Sequence, residues 1–215
     1  MELIADKVSK QIRGKAVLTD VNLRLEGGNV YGFVGKNGAG KTMLFRTLSG
    51  LIKLDSGTVS FNGRTLHKDF PVLPSLGLII ENTSLFPNLT GLENLKYLAS
   101  MKKIISTDEI VATLHRVGLD PNDKRTYKKY SLGMKQRLAI AQAIMEKPDV
   151  IMLDEPTNSL DEEGVERLRG IIMEEKARGA IVLLASHNKT EIEFLSDYLY
   201  EISDGAVSAL RGEEH

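Results

Sequence analysis

The run Gly35-Lys36-Asn37-Gly38-Ala39-Gly40-Lys41-Thr42 combines three glycines with a lysine and a hydroxyl at its end. Each type has a use around a phosphate chain. Glycines let the backbone turn sharply and aim successive N–H groups inward, which makes an anion-binding concavity. Lys41 can reach β- and γ-phosphates, and the Thr42 hydroxyl suits Mg²⁺. The bland alternative is a Gly-rich turn that binds nothing. The flanking sequence weighs against it. Residues 30–34 form an apolar run that predicts a buried strand, and residues 43–48 predict a helix. Strand, Gly-rich loop, Lys-Thr and helix together make the P-loop arrangement. A helix starting near Gly40 would also point its positive dipole end at the phosphates.

A second stretch supplies carboxylates. Val150-Ile151-Met152-Leu153 runs into Asp154-Glu155, a buried strand delivering two acids at its C-terminal end, where α/β sheets bind ligands. In a P-loop enzyme Asp154 would hold Mg²⁺ and Glu155 would activate the attacking water as general base. An apolar strand ending in Asp-Glu is common by itself, and it is the P-loop that gives this one a chemical reading. Three further residues read blandly in isolation. Ser131 and Asp161 look like helix N-caps, and His187, after an apolar strand, looks like a structural or solvated histidine.

The elements that position these groups are legible in outline. Alternation predicts strands over 3–9 and 17–25, with a polar connection at 11–15. Ser49-Gly50 closes the P-loop helix. Residues 57–61 lead into an Asn62-Gly63 hairpin turn, and 76–80 predict another buried strand. From 82 to 145 the pattern turns helical. A helix over 92–101 is followed by a capping-box helix opening at Ser106 with Glu109, a polar basic loop at 120–129, and a helix over 132–146. Then come a strand at 150–153, a helix at 162–178, a strand at 180–185, a helix at 189–196, a last strand at 198–202 and a polar tail at 211–215. The alternation predicts an α/β fold, with 1–81 and 146–215 as a catalytic core and 82–145 as a helical subdomain.

Composition narrows the function classes. Lys plus Arg total 28 against 29 Asp plus Glu, so no global field favours nucleic acid or anionic lipid. There are no cysteines, which excludes disulfides and thiolate metal sites and fits a reducing compartment. The N-terminus lacks a signal-peptide pattern, and no stretch approaches the ~20 apolar residues that a membrane-crossing helix needs. The expectation is a cytoplasmic protein that works at a membrane only through a partner.

Ser131-Leu132-Gly133-Met134-Lys135-Gln136-Arg137, opening a helix shortly before the acidic strand, resembles the signature motif of ABC (ATP-binding-cassette) ATPases. Asn158-Ser159-Leu160-Asp161 is then similar to that family's D-loop, Ser186-His187 to its switch histidine, and Asn37 to Thr42 to its form of P-loop. The resemblance covers the whole chain. It implies a P-loop NTPase cassette with a RecA-like core and an N-terminal antiparallel β portion. It implies ATP hydrolysis with Mg²⁺ and head-to-tail pairing of two cassettes as a homodimer. ATP would lie between the residues 35–42 of one copy and Ser131 and Gly133 of the other. Asp161 would meet the opposite subunit, and His187 the γ-phosphate. It also implies integral-membrane permease subunits and a peripheral place at the cytoplasmic face of the membrane.

Two departures from the family pattern stand out. Glu81 occupies the place of the usual glutamine, a charged and stronger Mg²⁺ ligand beside Thr42 and Asp154. Together with residues 88–95 and 130–134 it resembles the branch that exports, or gives immunity to, peptide antibiotics of the bacitracin and lantibiotic kinds, and so points to antibiotic resistance. Ile12 stands where the family stacks an aromatic on adenine, so base selectivity should be weaker. Two other classes fit the sequence less well. A soluble ABC ATPase working on nucleic acid or the ribosome usually has two fused cassettes or a coiled-coil insertion, and neither is present. A small-molecule kinase would need an acceptor site and an Arg-rich lid.

Overall fold

The computed structural model describes residues 1–80 and 85–212, apart from the side chain of Glu191. β1 (Glu2–Ile12) and β2 (Lys15–Glu26) form an antiparallel hairpin. The expected polar connection at 11–15 is shorter in the structure. Gln11 and Ile12 stay in the ladder, Ile12 opposite Lys15, and the turn is Arg13-Gly14 alone. Both turn residues have positive φ, 50° and 77°, the geometry whose twist suits a two-residue hairpin. β3 (Asn29–Val34), α1 (Lys41–Ser49), β4 (Ser56–Phe61), β5 (Arg64–Thr65) and β6 (Leu76–Ile79) follow. Next come α2 (Gly91–Lys102), α3 (Thr107–Arg116), α4 (Leu132–Ile144), β7 (Val150–Asp154), α5 (Glu162–Ala177), β8 (Ile181–Ser186), α6 (Lys189–Leu195), β9 (Tyr198–Ser203) and β10 (Ala206–Arg211).

The strands make two sheets. One is antiparallel, in the order β2-β1-β4-β5; the other runs β10-β9-β3-β8-β7-β6. Within the second, β9, β3, β8, β7 and β6 are parallel and β10 is antiparallel to β9. This is an α/β P-loop NTPase fold. β10 corrects the expectation that 198–202 is the last strand and that Arg211 begins a loose tail. The hairpin turns on Asp204-Gly205 at φ 49° and 80°, and the Arg211 guanidinium donates to the Glu193 and Ser196 carbonyls. β10 has no fully buried side chain, so the sequence carries no strong apolar alternation there.

The central strands β3, β7 and β8 are buried on both faces, which is why they read as continuous apolar runs. Val30, Val34, Ile151, Leu153, Val182 and Leu184 pack with α4, α5 and the α2–α3 pair. Tyr31, Phe33, Val150, Met152, Ile181 and Leu183 face the other way, onto α1 and the antiparallel sheet. Period-two alternation within each strand thus divides one apolar sequence between two cores. Two capping boxes start the helices of the middle region. Ser106 with Glu109 is the expected one; Thr90 with Glu93 opens α2 in the same way. Fully buried Asn94 ties α2 to the segment before it. Its amide donates to the Phe86, Leu89 and Thr90 carbonyls, and its Oδ1 accepts the Phe86 N–H.

Candidate nucleotide-binding site

Parallel pairing brings the chemical groups to one edge. Val34 of β3 lies opposite Ser186 of β8, and Asp154 of β7 lies opposite Ala185. The loop 35–42, Asp154-Glu155 and Ser186-His187 therefore leave the C-terminal ends of adjacent strands, where open α/β sheets bind ligands.

The Gly-rich loop needs its glycines at particular places. A Cβ on Gly35 would stand 2.4 Å from the Ile202 carbonyl oxygen, so β9 can approach only a glycine. Gly40 is the N-cap of α1 with φ 119°, a conformation that side chains avoid. Ala39 braces the loop through its N–H to the Lys36 carbonyl (3.1 Å) and its own carbonyl to the Gly205 N–H (3.1 Å). Lys41 is only 6% exposed. Its ammonium donates to the Gly35 carbonyl at 2.7 Å and the Lys36 carbonyl at 3.3 Å, and stands 3.7 Å from Glu155. The cation thus lies at the mouth of its own loop, held by groups that a phosphate would replace.

Thr42 starts α1 and its Oγ1 donates to Asp154 Oδ2 at 2.5 Å. Asp154 is buried. A hydroxyl and a carboxylate side by side are hard oxygen donors of the kind Mg²⁺ takes together with water and phosphate oxygens, so these residues fit that ion. Among the described residues no three His, Cys, Asp or Glu side chains group to hold a metal on their own. Glu81, the third expected ligand, lies outside the described residues.

Glu155 is held from several directions. Its backbone has φ 50°, unusual for a residue with a Cβ, and its N–H donates to the Ala185 carbonyl at 2.7 Å. Its carboxylate accepts from Ser186 Oγ at 2.9 Å and from the His187 backbone N–H at 3.0 Å. His187 Nδ1 lies 3.0 Å from each carboxylate oxygen. A carboxylate only accepts, so the proton of a neutral His187 belongs on Nδ1. Sequence reading placed Ser186 beside His187 but gave its hydroxyl no partner, because only the β7–β8 register brings it to Glu155.

A cleft of about 550 Å³ is lined by Val17, Asn37, Gly38, Gly40, Lys41, Thr42 and Met43 together with Gln136, Asp154, Glu155, Asn158 and Ser159. Asn37 also lines a neighbouring hollow, with Lys36, His187, Lys189 and Glu201. Ile12 is 38% exposed at the end of β1, while Val17, across the same hairpin, lines the cleft.

The signature-like residues lie on the turns before and within α4. Ser131 is the exposed N-cap, accepting the Met134 N–H at 3.2 Å. Gly133 passes so close to the 155–161 turn that a Cβ would stand 2.8 Å from the Ser159 carbonyl oxygen. Asp161 is the N-cap of α5, accepting the Gly164 N–H at 2.9 Å, and it pairs with Arg137 at 2.7 Å. The Gly164 N–H, with Arg137 behind it, holds the Asp161 carboxyl below the usual aspartate range. Ser131, Gly133 and Asp161 do not line the cleft that holds Lys41 and Glu155.

Known proteins place this arrangement. The ABC transporter family model matches residues 18–158. A Bacillus subtilis chain, the uncharacterized ABC transporter ATP-binding protein YybJ, is 46% identical over 93% of this chain and 92% of its own. The lantibiotic transport ATP-binding protein SrtF of Streptococcus pyogenes is 38% identical over 93% of this chain and 86% of its own. The bacitracin transport ATP-binding protein BcrA of Bacillus licheniformis is 38% identical over 93% of this chain and 66% of its own. Among solved structures, an ATP-binding subunit of an ABC transporter superposes with TM-score 0.86 at 27% identity, over 98% of this chain and 90% of that one. The cassette MJ0796, described as dimeric, gives TM-score 0.87 at 21% identity over 98% of this chain and all of that one, a likeness of fold. With a family match across most of its length and close relatives, named as ATP-binding proteins of ABC transporters, along nearly all of it, the chain belongs to the ABC transporter family.

Proposed function

We propose that this subunit powers export of a peptide antibiotic, or a similar molecule, through separate membrane permease subunits. The observation that carries the catalytic part is the convergence of Lys41, Thr42, Asp154 and Glu155 on one cleft, with His187 bonded to Glu155 from the neighbouring hollow. Phosphates of ATP take the N–H groups of residues 35–42 and the Lys41 ammonium. Thr42 and Asp154 would hold Mg²⁺, with Glu81 as the third ligand expected from the sequence, and the ion would neutralise phosphate charge. Glu155 takes a proton from the attacking water, and His187 fixes the carboxylate's orientation. Ile12 lies toward the base.

Ser131 and Gly133 serve the nucleotide of a second copy, and Asp161 lies between the copies, so that two chains form a homodimer around ATP. Residues 82–145 act as a helical subdomain that meets the permease. No helix among the described residues is long and apolar enough to cross a membrane, in keeping with permease subunits supplied by other chains and a place at the cytoplasmic face. The cargo class is supported by the relatives named for lantibiotic and bacitracin transport, at 38% identity.

The decisive experiment is co-purification from the native membrane, followed by reconstitution with the recovered membrane protein. Phosphate release stimulated by a lantibiotic or by bacitracin, and lost with Glu155→Gln, is the expected result. Stimulation by an unrelated solute, with no response to either peptide, would overturn the cargo assignment.

A further inference from the structure

Gln136 sits in α4, away from the strand ends that carry the chemistry, yet it lines the cleft with Lys41, Thr42, Asp154 and Glu155. Its amide Nε2 donates to the Pro156 carbonyl at 2.9 Å and lies 3.5 Å from the Glu155 carbonyl. Those carbonyls belong to the turn leaving β7, where Glu155 holds a left-handed φ of 50°. A residue with a Cβ stays in that region only when its surroundings over-determine it. The surroundings here grip Glu155 from two directions. Ser186 and His187, at the end of β8, hold the carboxylate. Gln136 holds the main chain from the α4 side. Two neighbours keep α4 against the same turn: Arg137 pairs with Asp161, and Gly133 lets the Ser159 carbonyl come close.

We propose that Gln136 is a positioning residue for Glu155: its donation to the Pro156 carbonyl, with the Glu155 carbonyl 3.5 Å away, fixes the two peptides that follow Glu155, and so the direction in which the carboxylate enters the cleft. The proposal rests on the reading of Glu155 as the base of ATP hydrolysis. The geometry also explains the residue type. An amide donor of this reach satisfies a carbonyl without placing a charge beside Asp154 and Glu155. A leucine, which has no donor, leaves that carbonyl without its partner and the turn free to rotate.

The test measures phosphate release and ATP affinity for the full chain and for Gln136→Leu, Gln136→Lys, Glu155→Asp and the Gln136→Leu/Glu155→Asp double variant. Gln136→Leu is expected to lower kcat roughly ten- to a hundredfold, the scale of an ångström-level misplacement. ATP affinity should stay within about threefold, as for a group acting on the transition state rather than on binding. Gln136→Lys, which restores a donor of similar reach, should recover part of kcat. In the double variant the two losses should fall short of their product, because residues acting as one unit are not additive. An unchanged kcat in Gln136→Leu, a loss confined to ATP affinity, or fully multiplicative losses would overturn the proposal while leaving the ATPase reading intact. A wild-type chain that releases no phosphate would overturn both.

Discussion

His187 Nδ1 stands 3.0 Å from both carboxylate oxygens of Glu155, and the same carboxylate accepts the His187 backbone N–H at 3.0 Å. One residue thus offers Glu155 a main-chain donor and a ring donor together. With Ser186 Oγ at 2.9 Å, the carboxylate is oriented before any nucleotide arrives. Preorganised groups need little rearrangement at the moment of reaction.

Replacing that carboxylate removes the proton acceptor and keeps the shape. Glu155→Gln is expected to bind ATP as the wild type does and to lose hydrolysis by about 10²–10⁴-fold, the usual worth of a general base. A slowly hydrolysing chain should accumulate as an ATP-bound dimer. Size-exclusion chromatography with and without ATP checks this; a monomer that persists in saturating ATP would sink the dimer reading.

Lys41 is buried and already bonded to the Gly35 and Lys36 carbonyls. Lys41→Ala removes the phosphate's counter-charge and the brace of the loop together. Nucleotide affinity measured by titration calorimetry should fall at least tenfold, since hydrogen bonds to charged groups contribute about 1.5–3 kcal/mol. Equal affinity in the variant would refute the role assigned to the lysine.

Ile12 offers the base an aliphatic surface with no π contribution. ATP and GTP should therefore support phosphate release with kcat/KM values within about tenfold of each other, since a stacked aromatic adds only about 0.5–1.5 kcal/mol. Ile12→Tyr should widen the preference. A strong ATP preference in the wild type would show that other residues read the base.

The two capping boxes predict a pH dependence of stability. Hydrogen bonds from the Thr90 N–H and hydroxyl hold the Glu93 carboxyl below the usual glutamate value of 4.5. The Ser106 N–H and then Lys147 do the same for Glu109. A depressed folded-state pKa gives stability that is present above the unfolded value and lost as pH falls through the folded one. Thermal melts of wild type and a Glu93→Gln/Glu109→Gln variant should differ at neutral pH, with the wild type higher. The two should converge as the pH drops below 4.5. A gap that stays constant across this range would exclude the carboxylate caps as its source.

Sequence reading reached the parts of this site that are written locally. Residues 35–42 and Asp154-Glu155 carry their own strand, loop and helix signals, and each lies where those signals put it. Ser131 and Asp161 read as N-caps, and both are N-caps in the structure. What stayed hidden depends on distant partners. Ser186 gains its role from Glu155, 31 residues away, and Gln136 from Pro156, 20 residues away. β10 stayed hidden because its side chains are exposed or half-buried, although the Asp204-Gly205 turn announces it. The same holds for Thr90-Gly91-Leu92-Glu93, whose capping box is legible once Thr90 is taken as the cap.

The strand order has a consequence for how the molecule comes into being. β8 lies between β3 and β7, so Lys41, Asp154 and His187 converge only after three strands from opposite halves of the chain have paired. Thr42 and Asp154 meet although they stand 112 positions apart in the chain. Local helices form in about a microsecond, whereas pairing of such remote strands must first close a long loop. Nucleotide binding should therefore be the last property recovered when the unfolded chain is diluted from denaturant, trailing the helical circular-dichroism signal.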